Sequence, residues 1–270
     1  EVVAAAQSLA RKPEIISLAP SLLSDVLRDI ELVGEAAGKK LEAEALVSRL
    51  KNRIDRVREQ ASCSDHRPRV ACIEWLDPIY SAGHWVPEMV ELAGGIDELG
   101  KKGAPSEKMD WNRVIQAAPE VIVLMPCGFD IERILKEMHL LYRLLDWSDL
   151  PAVKSGNVFA VNGSAYFNRS GPRLVDGLEI LAQIIHPEIS WGKSADLSNV
   201  TKPAADADGT PVDPLNTGRV VPIYTEIEGL PSRTLRKILW DAFAKYRTTL
   251  TEDIPARFLD RHKLPKITDA

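Results

Sequence analysis

Three stretches of this 270-residue chain concentrate side chains suited to gripping a small molecule. The first, EWLDPIYSAGHW (74–85), carries Trp75, Tyr80, His84 and Trp85 within a dozen positions. No helical or strand spacing accounts for that density, and aromatic faces suit stacking against a large, flat, partly apolar ligand. For Trp75 and Trp85 the competing reading is that they anchor the segment into the core. The second stretch, PCGFD (126–130), offers Gly128 for close backbone approach and Phe129 as a further ring. The helix expected after it would present free N–H donors to a carboxylate, amide oxygen or phosphate. Cys127 is either a nucleophile or a bystander, and no second group of a catalytic pair stands near it in sequence. The third stretch, NGSAYFNRSGPR (162–173), combines Tyr166 and Phe167 with the donors Asn168, Arg169 and Arg173. Arg173 opens the next helix and has a structural reading as well.

The chemistry that is missing narrows the field. The sequence contains no GxGxxG, GxxxxGK[ST], HExxH or GxSxG pattern. His84 and His139 have no partners at metal-ligand spacing, and Cys63, Cys72 and Cys127 are too scattered for a zinc site or a disulfide framework. No catalytic residue, metal ligand or cofactor is therefore assigned. Sites rich in aromatics and poor in acid–base pairs bind rather than turn over.

These stretches need a scaffold, and the periodicity supplies one. RVACIEW (69–75), VIVLM (121–125) and NVFAV (157–161) read as strands, and EIISL (14–18) as a further short strand. Helices are predicted over 86–95, 111–119, 129–141 and 172–185. Alternation of this kind implies a mostly parallel sheet covered by helices, and continuous apolar strands fit burial on both faces. The three stretches then follow three strands, where ligands bind in doubly wound sheets. They are expected to bring Trp75, His84, Trp85, Phe129 and Tyr166 together at one end of the sheet.

Upstream, Ser21 is the expected N-cap of a helix with Leu22, Leu23, Val26, Leu27, Ile30 and Val33 on one face. A second apolar stripe runs through Leu46, Leu50, Ile54 and Val57. Together they predict a long, nearly continuous helical connector over 21–60, with two antiparallel helices as the alternative. Residues 191–217 read as a linker, and 218–270 as a small α+β extension. That extension has a strand at 218–224 and a helix through Leu235, Ile238, Leu239, Ala242 and Tyr246. The net charge of −5 gives no reason to expect nucleic acid or an anionic membrane as a partner. Residues 216–270 hold ten basic against seven acidic residues, so the acidic excess lies in the body. No run of eighteen apolar residues exists, and no basic segment opens the chain in the manner of a signal peptide.

The runs RVACIEWLDPIYSAGHWVPEMVELAGG, SEKMDWNRVIQAAPEVIVLMPCGFD and VFAVNGSAYFNRSGPRLVDGLEIL resemble the cobalamin-binding, BtuF-like branch of periplasmic substrate-binding proteins. So does PEIISLAPSLLSDVLRDIELVGEAAG upstream, and the resemblance covers residues 1–190. It implies an α/β fold of two Rossmann-like, three-layer lobes joined by a long helix. On that pattern 1–20 is a remnant of the first lobe, 21–65 the connector and 66–190 the second lobe. It further implies capture of cobalamin or a ferric siderophore-like chelate, a membrane ABC permease as partner, an extracytoplasmic location and a monomer, with a cytoplasmic location as the alternative because no signal-peptide pattern opens the chain. The ligand contacts would be Trp75, Tyr80, His84, Trp85, Cys127, Gly128, Phe129, Tyr166, Phe167, Asn168 and Arg169. NTGRVVPIYTEIEGLPSRTLRKILWDAFAKY with IPARFLDRHKLP (216–265) resembles the end of the wedge domain of RecG-type DNA helicases instead, and nucleic acid would be a partner only through this tail. The chain is accordingly expected to be a fragment or a chimera.

Overall fold

A computed structural model describes residues 6, 9, 13–191 and 197–203. All of these belong to a compact unit spanning Glu1–Arg219; a second unit, Val220–Ala270, lies outside the described residues, as do the expected strand and helix of the tail.

The sheet has six strands: β1 (Val70–Leu76), β2 (Ile79–Ser81), β3 (Glu107–Lys108), β4 (Val121–Leu124), β5 (Val158–Val161) and β6 (Val200–Thr201). Their order is β3-β2-β1-β4-β5-β6. The centre is parallel, with Val70 opposite Val121 and Ile122 opposite Val158. Both flanks are antiparallel. The three predicted strands thus sit side by side.

Alternation along these strands divides the interior into two layers. Val70, Cys72, Val121, Val123 and Val161 point to one face. Ala71, Ile73, Ile122, Leu124, Val158 and Ala160 point to the other. The first face is covered by α3 (Val86–Leu92) and α9 (Arg173–Ile185). The second is covered by α4 (Trp111–Ala117), α5 (Ile131–Glu137), α6 (His139–Tyr142) and α7 (Pro151–Lys154). A short helix, α8 (Gly163–Tyr166), follows β5. The result is the three-layer α/β lobe read from the sequence. Its core side chains, such as Met89, Leu124, Ile134, Leu174 and Leu178, are fully buried. Each such side chain contributes roughly 1.5–3 kcal/mol of hydrophobic stabilisation.

The expected long connector is two helices, α1 (Leu23–Ala36) and α2 (Lys40–Ala61). They fold back on one another, because Leu27 of α1 shares a buried cluster with Val47 and Leu50 of α2. In one straight helix those residues would stand roughly 30 Å apart at 1.5 Å per residue. The break falls at Ala37–Lys39, where Gly38 has φ 68°. Gly34 makes the close approach possible: a Cβ there would lie 2.2 Å from the Cβ of Ala43. The pair still packs along the lobe, since Val175 of α9 completes the cluster. Arg53 also forks onto Glu179 at 2.8 and 2.7 Å and reaches Asp176 at 2.6 Å.

Three further expectations change. The N-cap of α1 is Leu22 rather than Ser21; the Asp25 carboxylate accepts from the N–H groups of both, which holds its carboxyl below the usual value. Residues 14–18 form no strand: Ile15, Ile16 and Leu18 are exposed, and no described strand lies beside them. Within the expected linker, Val200–Thr201 is an edge strand paired with β5, too short for its sequence to show a period.

Candidate functional site

The three stretches meet at the carboxyl ends of β1, β4 and β5. Cys127 donates its N–H to the Glu74 carbonyl (3.2 Å), which joins the first stretch to the second. Asn168 Nδ2 donates to the carbonyl of Met125 (3.4 Å), the residue just before the second stretch, which ties the third stretch to its base. The Trp85 indole N–H donates to the Phe167 carbonyl (2.7 Å), closing the third onto the first. The stretches share one rim because their strands are neighbours running in one direction.

The aromatic set is split across that rim. Trp75 packs edge-on against Phe129, with ring centroids 5.2 Å apart. Phe129 belongs to the layer under α5, and the Arg133 guanidinium lies 3.5 Å from its ring centre. His84 lies 5.6 Å from Trp85, and Trp85 and Phe167 belong to the opposite layer, with Tyr166 packed against it. Ring contact therefore joins Trp75 to Phe129 and His84 to Trp85, one pair in each layer.

Burial sorts the expected contacts. Trp75 is 36% exposed, whereas Trp85 is 9% and Phe167 1% exposed. Trp85 and Phe167 thus lie in the core, the competing reading for Trp85. Phe129, 3% exposed, lies beneath Trp75 and supports it. Cys127 and Arg169 are exposed, and Tyr80, His84, Tyr166 and Asn168 are half-buried. Gly128 is exposed with φ 81°, and a Cβ there would meet open space. Its glycine serves the left-handed turn rather than close packing.

Two local features were not foreseen. The first stretch is a hairpin rather than a loop: Asp77 and Pro78 connect β1 to β2, and Trp75 pairs with Tyr80. The register shifts between Ile73 and Trp75. Such a bulge re-aims side chains at functional edges. The anion-binding helix terminus is also already filled. Asp130 accepts from the Arg133 N–H (2.8 Å) and so caps α5 itself, as Asn162 caps α8 through the Ala165 N–H (3.0 Å). FD at 129–130 held that capping signal in the sequence.

Residues 4–165 match the family described as periplasmic binding protein. The chain belongs to that family. Proteins of this family bind and hand over substrates; they are not enzymes, and the bound molecules are cargo rather than cofactors. An uncharacterized ABC transporter substrate-binding lipoprotein, YvrC of Bacillus subtilis, is 29% identical over 170 residues, covering 61% of this chain and 51% of the relative. The chain thus spans about half the length of that curated relative. An ABC transporter substrate-binding protein from Listeria monocytogenes has the same fold, with a TM-score of 0.58, 17% identity, and coverage of 64% of this chain and 68% of that one. IsdE of Staphylococcus aureus, solved with heme, gives 0.55, 15%, 62% and 66%. The helicase-like reading of 216–265 lies outside both the described residues and the family match.

In this periplasmic binding protein, a groove also lies away from the rim. A cavity of about 540 Å³ lies at the opposite, amino-terminal end of the strands, lined by His66, Glu120, Asn157, Gln183 and Lys202 among others. Its detection does not make it the site. The three stretches that carry the aromatic and polar side chains face away from it. No cluster of three or more potential metal ligands occurs among the described residues, and no described helix is long and apolar enough to cross a membrane.

Proposed function

We propose that this chain is a substrate-capturing component of an ABC importer and that its rim receives a metal-centred chelate: a corrinoid, a heme or a ferric siderophore. The observation that carries the reading is Trp75. It is a large apolar side chain left partly exposed at the ends of the parallel strands, braced from below by Phe129. Exposed indoles held rigid in this way are stacking faces rather than core. Tyr80 pairs with it across the hairpin, and His84, Tyr166, Asn168 and Arg169 on the first and third stretches add hydrogen-bonding groups suited to the polar edge of such a molecule. Family membership supports transport, and the heme seen in one fold neighbour supports a planar chelate. Its working place would be outside the cytoplasmic membrane, delivering to a membrane permease, as the lipoprotein relative's name suggests.

Isothermal titration with cyanocobalamin, hemin and a ferric hydroxamate tests this. One of the three should bind, and Trp75→Ala should weaken that binding up to about tenfold, equivalent to the roughly 0.5–1.5 kcal/mol of an aromatic pair. Equal affinity of Trp75→Ala and the wild type for the ligand that binds would place the site elsewhere.

A further inference from the structure

The loop after α3 carries a carboxyl group whose surroundings contradict its charge. Asp97 Oδ1 accepts from the N–H groups of Leu99 (2.9 Å) and Gly100 (2.8 Å), which fixes a tight turn. Its Oδ2 is cut off from solvent and has no hydrogen-bond partner. Gly100 packs closely beside it, with no room for a side chain. A Cβ on Gly100 would lie 2.9 Å from Asp97 Oδ2 and 2.6 Å from the Ala82 carbonyl oxygen. Two acceptors, Asp97 Oδ2 and the Ala82 carbonyl oxygen, thus border the same point beside Gly100, and no described donor lies on Oδ2. The groups facing Asp97 give no relief. Cys72 on β1 is buried and its thiol is pushed well above the usual range, α3 presents Pro87, and no cation of the described residues offsets the charge.

This turn governs one wall of the rim. Beyond it, Gly103 donates to the His84 carbonyl (2.9 Å) and His84 donates to the Ala104 carbonyl (2.5 Å). Ser106 Oγ then donates to the Glu74 carboxylate (2.7 Å). His84 itself is held at φ 52°, a conformation a non-glycine residue keeps only when its surroundings impose it.

We propose that Asp97 is a proton-operated latch: with a proton on Oδ2 it donates to the Ala82 carbonyl and ties the 97–106 loop to the β2 segment that carries His84, and without that proton the loop loosens. The latch regulates the rim and so rests on the binding reading above, although its test needs no ligand. Burial raises the Asp97 carboxyl to about 6, so the change falls in a range that extracytoplasmic proteins encounter. The sign follows from linkage. A carboxyl whose folded value lies above its unfolded value makes the closed state tighter as pH falls through about 6, and the gain is complete near the ordinary aspartate value of 3.8.

Amide hydrogen exchange on the intact chain, corrected for intrinsic rates, reads the latch at His84 and Gly103. Protection should rise roughly tenfold from pH 8 to pH 5, the ratio set by those two values. Asp97→Asn places a permanent donor opposite Ala82 and should keep both amides protected at either pH. Wild-type and Asp97→Asn chains with the same pH dependence would overturn the proposal. If Asp97→Asn fails to fold, a carbon-13 titration of the wild-type carboxyl decides: a midpoint near 6 supports the latch, and one below about 4.5 refutes it. Loss of ligand binding in Trp75→Ala would leave these exchange rates unchanged, so the two readings fail separately.

Discussion

Trp75 and Trp85 make the same type of hydrogen bond in opposite surroundings, which allows a sharp comparison. Each indole N–H donates to a backbone carbonyl: Trp75 to Asp77 at 3.0 Å and Trp85 to Phe167 at 2.7 Å. Replacing each by Phe removes the donor and part of the ring. At Trp85 the orphaned Phe167 carbonyl stays buried, costing about 1–3 kcal/mol. The space left by the lost ring atoms adds about 1–2 kcal/mol. At Trp75, 36% exposed, water replaces the donor and little space is left, so the loss should stay under about 0.5 kcal/mol. A unit of this size loses about 2–4 °C of melting temperature per kcal/mol. Trp85→Phe should therefore melt at least about 4 °C below the wild type, and Trp75→Phe within about 2 °C of it. Circular dichroism melts at one pH and ionic strength measure both. Equal shifts for the two variants would refute the division of these tryptophans into anchor and binding face.

Other outcomes follow from the packing. Gly34→Ala should destabilise by about 1–3 kcal/mol in urea titration despite alanine's better helix propensity, because its Cβ would overlap that of Ala43. Arg53→Ala should lower stability by about 1 kcal/mol, and 1 M NaCl should shrink the difference, since the fork to Glu179 and Asp176 is partly exposed and screened. Leu178→Ala should cost about 2–5 kcal/mol, as this residue is fully buried between α9 and the sheet.

The central layer was legible because its signals are long or strongly periodic. Val121–Leu124 reads as a strand buried on both faces, and α9 shows an apolar stripe through Leu174, Leu178, Leu181 and Ile185. The hairpin β1–β2 was not legible: three residues, Ile79–Ser81, are too few to show alternation, and their pairing depends on a neighbour rather than on composition. The fold-back of α1 and α2 was undecided in the sequence for another reason. Two apolar stripes in sequence fit a rod and a hairpin equally well, and the decision lies in the close approach at Gly34 and the positive φ of Gly38. At the rim, clustering of aromatics was visible but not which rings face inward. Trp85 and Phe167 point into the core because the backbone of the third stretch closes over them, a contact 82 residues apart in the chain.

The outermost described strands are each two residues long, Glu107–Lys108 and Val200–Thr201. An open sheet edge is a template on which other chains can pair, and the hazard grows with the length and flatness of the edge. Here the long, apolar, aggregation-prone segments, Val70–Leu76 and Val121–Leu124, are innermost, and each has a neighbour on both sides. The flank beyond β2 exposes a glutamate and a lysine, charges that resist self-association, on a stub too short to nucleate a fibril. Such blunt margins keep neighbouring copies from zipping together while the ends of the central strands stay free of pairing.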